Sequence, residues 1–155
     1  MHALHPRVRV AWALSSLVGA VTLGAGAVAV DRFLLSLPGG PALGVAVGLG
    51  LALLGVGSAL LHYRVWRYDV QDDALYLERG VLTRVESAVP YVRVQHVDTQ
   101  RGPVERALGL ASVVVYTAGS RGADVTVPGL EPDRARALQG RLRELATESE
   151  PEDGV

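Results

Sequence analysis

VAWALSSLVGAVTLGAGAVAV, from Val10 to Val30, and ALGVAVGLGLALLGVGSALL, from Ala42 to Leu61, decide the architecture of this chain. The first run holds twenty-one residues without a charge, about enough to cross a hydrocarbon core of ~30 Å at ~1.5 Å per residue. The second continues the pattern, with no charge between Arg32 and His62. Asp31-Arg32 and then Pro38-Gly39-Gly40-Pro41 lie between them, breakers gathered where a turn is needed. The pair predicts a transmembrane hairpin over residues 10–62, with helices at about 10–30 and 42–61. A cleaved signal peptide is the rival reading, with Ala25-Gly26-Ala27 or Ala27-Val28-Ala29 as the processing site. The long apolar core and the second span that follows at once favour an uncleaved helix.

Outward from the hairpin, charge sets the expected orientation. Residues 1–9 form a short head with Arg7 and Arg9, and Arg64 and Arg67 follow the second span. The turn carries only Arg32, beside Asp31. By the positive-inside rule, both chain ends of an integral protein of the cell membrane face the cytoplasm. Arg64, Trp66, Arg67 and Tyr68 are candidate membrane-surface contacts, the alternative for the two arginines being topology alone. Ser16, Ala20 and Gly24 recur four apart in the first span, as do Gly40, Gly44 and Gly48 at the start of the second. Such small-residue rows let helices approach closely, either as the packing of the two spans on each other or as an oligomer seam. Neither span has an interior ionisable residue, which removes support for an ion or proton path.

Past the hairpin the periodicity changes from helical to two-residue alternation. Strands are expected at Trp66–Val70, at Leu75–Leu77 as far as Gly80, at Val81–Val89, and from Val92 to about Thr99. Further strands are expected at Ala111–Thr117 and Asp124–Val127, with a turn at Ala118–Ala123. Pro103 to Gly109 has proline at a first helical position and glycine at a stop. From Pro132, Ala135, Leu138, Leu142 and Leu145 share one helical face. The domain at 63–147 thus reads as six or seven antiparallel strands with one capping helix, an open barrel or two orthogonal sheets. An acidic tail at 148–155 is expected to be disordered.

Composition narrows the chemistry. From residue 69 onward ten arginines face fifteen acids, the wrong sign for a nucleic-acid surface. There is no cysteine, so disulfides, thiolate nucleophiles and cysteine metal sites are excluded. His96 with Asp98 falls short of the three or four ligands of a metal site. Ser87, Ser112 and Ser120 lack a nucleophile elbow. Glu78 and Glu86 can face each other across a hairpin, an ordinary feature of an exposed strand face. No cofactor, no metal and no catalytic set are expected, and the chain reads as a non-enzyme.

Several segments resemble one family when taken in order. They are the exit Tyr63, Arg64, Trp66, Tyr68; Leu77-Glu78-Arg79-Gly80-Val81-Leu82-Thr83-Arg84; Val89-Pro90-Tyr91-Val92-Arg93-Val94-Gln95-His96-Val97-Asp98; Gln100-Arg101-Gly102-Pro103-Val104-Glu105-Arg106-Ala107-Leu108-Gly109-Leu110-Ala111; and Pro128-Gly129-Leu130. The set is similar to the bacterial and archaeal pleckstrin-homology-like membrane proteins of the YdbS type. That resemblance implies an α+β membrane protein: a two-helix transmembrane hairpin, then a small, mainly antiparallel-β pleckstrin-homology-like barrel capped by a C-terminal helix. It also implies a cytoplasmic domain without established catalytic activity, and assembly with a longer membrane protein carrying several copies of the domain. Gln71-Asp72-Asp73 stands where lipid-binding relatives of the fold place phosphate-gripping cations, so specific phosphoinositide binding is not expected.

Gln100, Arg101, Glu105 and Arg106, around the short helical corner, are candidate partner-docking residues. The alternative is a connector closing one barrel mouth through Val104, Leu108 and Leu110. The functional expectation is a membrane-tethered interaction module, anchored in lipid and bound to a membrane-protein partner or to further copies of itself. The alternative is a small subunit of an export or envelope-stress assembly in which the hairpin is the working interface.

Overall fold

The computed structural model describes residues 1–119 and 124–149. Two compact units result: residues 9–64 form one, and Met1–Val8 with the chain from Val65 onward form the other. Ser120, most of the turn expected at Ala118–Ala123 and residues 150–155 of the expected tail lie outside the described residues, whereas Glu148 closes the last helix.

The hairpin unit is two long helices, α1 (Val8–Val30) and α2 (Gly40–Val65), joined through a π-helical turn at Asp31–Leu35. Both present exposed apolar side chains such as Val18, Val21, Leu53 and Leu54, the surface that lipid requires. Helices are also the form that satisfies every backbone group there. Helix α2 starts earlier than expected, at Gly40-Pro41. A proline in the first turn lacks only an N–H that has no intrahelical partner in any case. It ends later, taking in His62, Tyr63 and Arg64, where cations suit the negative end of the helix. Trp12 meets His62 edge-on at 6.3 Å and Arg9 lies 5.5 Å from the Tyr63 ring centroid, so the open ends of the hairpin are tied together.

All six small-residue candidates lie along one antiparallel seam inside this unit. Ser16 packs on Gly55, where an added Cβ would come within 2.6 Å of its own Cβ. The Ala20 carbonyl lies against Gly48, and a Cβ on Gly24 would stand 2.9 Å from the Gly48 Cα. Gly44 receives Val28 in the same way. At the turn Gly40 leaves room for the buried Asp31 carboxylate, which accepts the Leu37 N–H at 3.1 Å. That carboxylate sits at the start of α2, where a negative charge is favoured.

The second unit is built from two antiparallel sheets. One has the order β1 (His2–Ala3), β2 (Arg67–Val70), β3 (Ala74–Arg79), β4 (Val85–Pro90), and the other β5 (Val94–Gln100), β6 (Ala111–Thr117), β7 (Val125–Leu130). A short helix α3 (Pro103–Ala107) joins β5 to β6, and α4 (Pro132–Glu148) packs on β5 and β6. Leu75, Leu77, Tyr91, Val97, Val113, Val115, Val127 and Leu142 form the fully buried centre. Helix α4 buries Ala135, Leu138, Leu142 and Leu145, the face given by its periodicity. The β-branched run of β6 is buried from Ala111 to Val115 without alternation.

Three local readings change. Residues 1–8, separated from the domain by sequence, are part of it: His2 pairs with Tyr68 and Ala3 with Arg67, while Leu4 and Val8 are buried. Strand β4 begins at Val85 rather than Val81, because Gly80 (φ +98°) reverses the chain and leaves Leu82 fully exposed. Tyr91–Arg93 is a 3₁₀ turn, so alternation breaks there: Tyr91 is buried and Val92 is exposed.

One glycine joins the head to the second sheet. Gly129 has φ +63°, its carbonyl accepts the His5 N–H at 2.8 Å, and an added Cβ would fall 2.5 Å from Val8 side-chain carbons. Gly129→Ala is therefore expected to destabilise the protein by about 1–3 kcal/mol. Gly140→Ala, in an open position on α4, should stabilise by about 0.5–1 kcal/mol. Thermal unfolding of the full chain in detergent reads both. In the hairpin, Gly24→Leu should lower the melting midpoint and disrupt the seam, whereas Gly19→Leu, with nothing within 4 Å of its added Cβ, should leave it unchanged.

Candidate functional site

Strand β4 ends the first sheet, so its outer edge carries no strand among the described residues. Register places Val89, Ser87 and Val85 opposite Leu75, Leu77 and Arg79. A cleft of about 340 Å³ runs beside Ser87–Pro90 and is walled on its far side by the end of β6 and the start of β7. Arg79, Arg93, Ser87, Thr117 and Asp124 bring polar groups to it. An unpaired edge offers main-chain donors and acceptors in a row. Among the described residues, Arg79 and Arg93 add two cations against the single carboxylate of Asp124.

The outer face next to this edge is strongly charged. Arg67, Glu78 and Glu86 lie in one row across β2, β3 and β4. Arg84 closes on Glu78 at 3.4 Å, and Arg67 donates to the Trp66 carbonyl at 2.7 Å. The two carboxylates face each other as sequence allowed, with an arginine beside one of them.

The corner candidates are more tightly engaged than their polarity suggests. Glu105 accepts the Gly102 N–H at 2.8 Å, half of a capping box, and the Ser112 hydroxyl at 2.5 Å. Arg101 donates through Nε to the Leu110 carbonyl at 3.2 Å, and Gln100 reaches the Tyr116 hydroxyl at 3.3 Å. Arg106 is exposed. The connector is closed mainly by Leu110, which is fully buried; Leu108 is half-buried and Val104 exposed.

Two candidate membrane-surface contacts are corrected outright. Trp66, just before β2, and Tyr68, within it, are only 6% and 5% exposed. The Tyr68 hydroxyl pKa is raised by burial, against a lowering by Arg134. Arg64 is exposed and Arg67 half-buried.

Around the β2–β3 turn the acids are themselves engaged. Tyr76 donates to Asp73 at 3.1 Å and its pKa is raised by that bond. Tyr91 donates to the Gln71 carbonyl at 2.6 Å; burial and then Asp73 raise its pKa. The Met1 amine meets Asp69 at 3.0 Å and holds that carboxyl below the ordinary range. His96 pairs with Asp98 at 2.7 Å and lies 6.0 Å from the Tyr116 ring. Among the described residues no group of three or more histidines and carboxylates is arranged to hold a metal.

Sequence reading passed over Arg93, Ala88 and Thr117. The available signal was weak: arginine after a proline turn looks like any solvated strand residue. That β4 is an edge follows only from the order of strands.

The family described as bacterial PH domain matches residues 14–146. UPF0699 transmembrane protein YdbS of Bacillus subtilis (strain 168) is 35% identical over 86 residues, covering 56% of this chain and 52% of that protein. The alignment thus spans about half the length of this curated relative. No solved structure matches the chain. Neither description names a catalytic activity. The match runs from within α1 to the last turns of α4, across two apolar helices and a PH-like pair of sheets, and this membrane protein belongs to the bacterial PH domain family.

Proposed function

We propose that the chain is a membrane-anchored, non-enzymatic interaction module whose PH-like domain captures an extended protein segment along the outer edge of β4. The observation that carries this reading is the unpaired edge at Val85–Pro90, set beside a cleft that Arg79 and Arg93 line. Strand addition would form main-chain hydrogen bonds with a net contribution of about 0.5–1.5 kcal/mol each. A carboxylate on the incoming segment would face the two arginines. The acidic β2–β3 turn, with Asp69, Asp72 and Asp73, disfavours a phosphate ligand there. The corner at Arg101–Arg106 ranks second, since Arg101 and Glu105 already hold their own loop. The hairpin then serves as anchor, with Arg7, Arg9, Arg64 and Arg67 favouring a cytoplasmic domain and cytoplasmic ends.

A photo-crosslinking residue in place of Ala88, in the full chain in cells, tests the site. It should give a discrete protein adduct that Arg79→Glu with Arg93→Glu reduces at least tenfold while the melting midpoint is kept. Adducts confined to a probe at position 106 would move the site to the corner. Loss of the Ala88 adduct after exchanging the hairpin for an unrelated two-helix anchor would favour the hairpin as the working interface.

A further inference from the structure

A groove of about 660 Å³ follows the hairpin along one side, from Leu17 on α1 to Phe33 in the π-helical turn and from Val45 to Ala52 on α2. It exists because Gly24, Ala25, Ala29, Gly48 and Ala52 leave the space that larger side chains would fill. Its lining is apolar except at the turn end, where Arg32 stands beside Phe33. The α1 side is roughly 24 Å long at ~1.5 Å per residue, more than the roughly 15 Å of hydrocarbon in one leaflet. A groove in lipid gives no hydrophobic gain on filling; whatever packs it best by close contact occupies it.

The mouth decides between occupants. Arg32 is exposed and makes no ion pair with any described residue. The adjacent Asp31 does not neutralise it, since that carboxylate is buried against the start of α2 and accepts the Leu37 N–H. A second copy related by a two-fold axis would share the membrane orientation and bring its own Arg32 to the same depth. Two guanidinium groups at one depth would then repel each other, with no opposite charge supplied by the described residues around them. A phosphate at the headgroup level supplies the opposite charge. We propose that the groove seats one acyl chain of an anionic phospholipid, with the lipid phosphate against Arg32.

Native mass spectrometry of the full chain, washed in detergent after loading with equal amounts of phosphatidylglycerol and phosphatidylcholine, tests this. One phosphatidylglycerol per chain should be retained in preference. Arg32→Gln should lower that retention roughly fivefold and erase the preference. Ala25→Leu with Ala29→Leu, at exposed positions on the groove floor, should remove retained lipid of either kind while the melting midpoint is kept. Added inorganic phosphate should not displace the lipid. Equal retention of the two lipids by the unaltered chain, unchanged retention in the filled groove, or displacement by phosphate would overturn the proposal. So would a lipid-free dimer that the Ala25→Leu, Ala29→Leu variant dissociates.

Discussion

The pairing of His2 with Tyr68 and of Ala3 with Arg67 is the constraint on which the rest of the structure depends. These residues flank the two ends of the hairpin, so the transmembrane segment is inserted into the PH-like domain between β1 and β2. Helix α2 ends at Val65 and β2 begins at Arg67. Pairing residues more than sixty apart carries a loop-closure cost, and the antiparallel packing of α1 on α2 lowers it by bringing the segment ends back together.

Different solvents explain the two kinds of packing. In the hairpin, burial in water cannot drive association, so contact depends on missing side chains: Gly24 against Gly48, Gly44 under Val28, Gly55 under Ser16. In the domain, buried aliphatic groups on both sheets and on α4 provide the ordinary hydrophobic gain. Gly129 serves the second regime in a similar way, because the absent side chain makes room for Val8 and links the head to the second sheet. Small residues therefore hold both units, for reasons that differ with the surroundings.

Much of the architecture was legible in the chain. Twenty-one uncharged residues admit few states, and the four buried residues of α4 follow directly from a 3.6-residue period. Alternation placed Leu75 and Leu77 inside and Tyr76 and Glu78 outside. It failed where a local turn intervened: at Pro90 the 3₁₀ segment carries Tyr91 inward and Val92 outward. It also failed where composition was taken as a guide to exposure. Trp66 and Tyr68 have the amphipathic character of interface residues, yet both are buried in the domain. Arg101 and Glu105, whose polarity marks a docking candidate, also hydrogen-bond to the backbone of their own corner.

By itself the sequence determined the membrane hairpin, the switch to a two-residue period and the closing helix. Those features depend on properties of neighbouring residues: length without charge, alternation, and the spacing of apolar side chains. Only the tertiary structure decided that the head is a strand of the domain, that β4 is an edge among the described residues, beside a cleft lined by Arg79 and Arg93, and that the small-residue rows face each other within one chain. Each is a relation between distant segments, set by the order of strands and the register of helices, and no local pattern of residues records it.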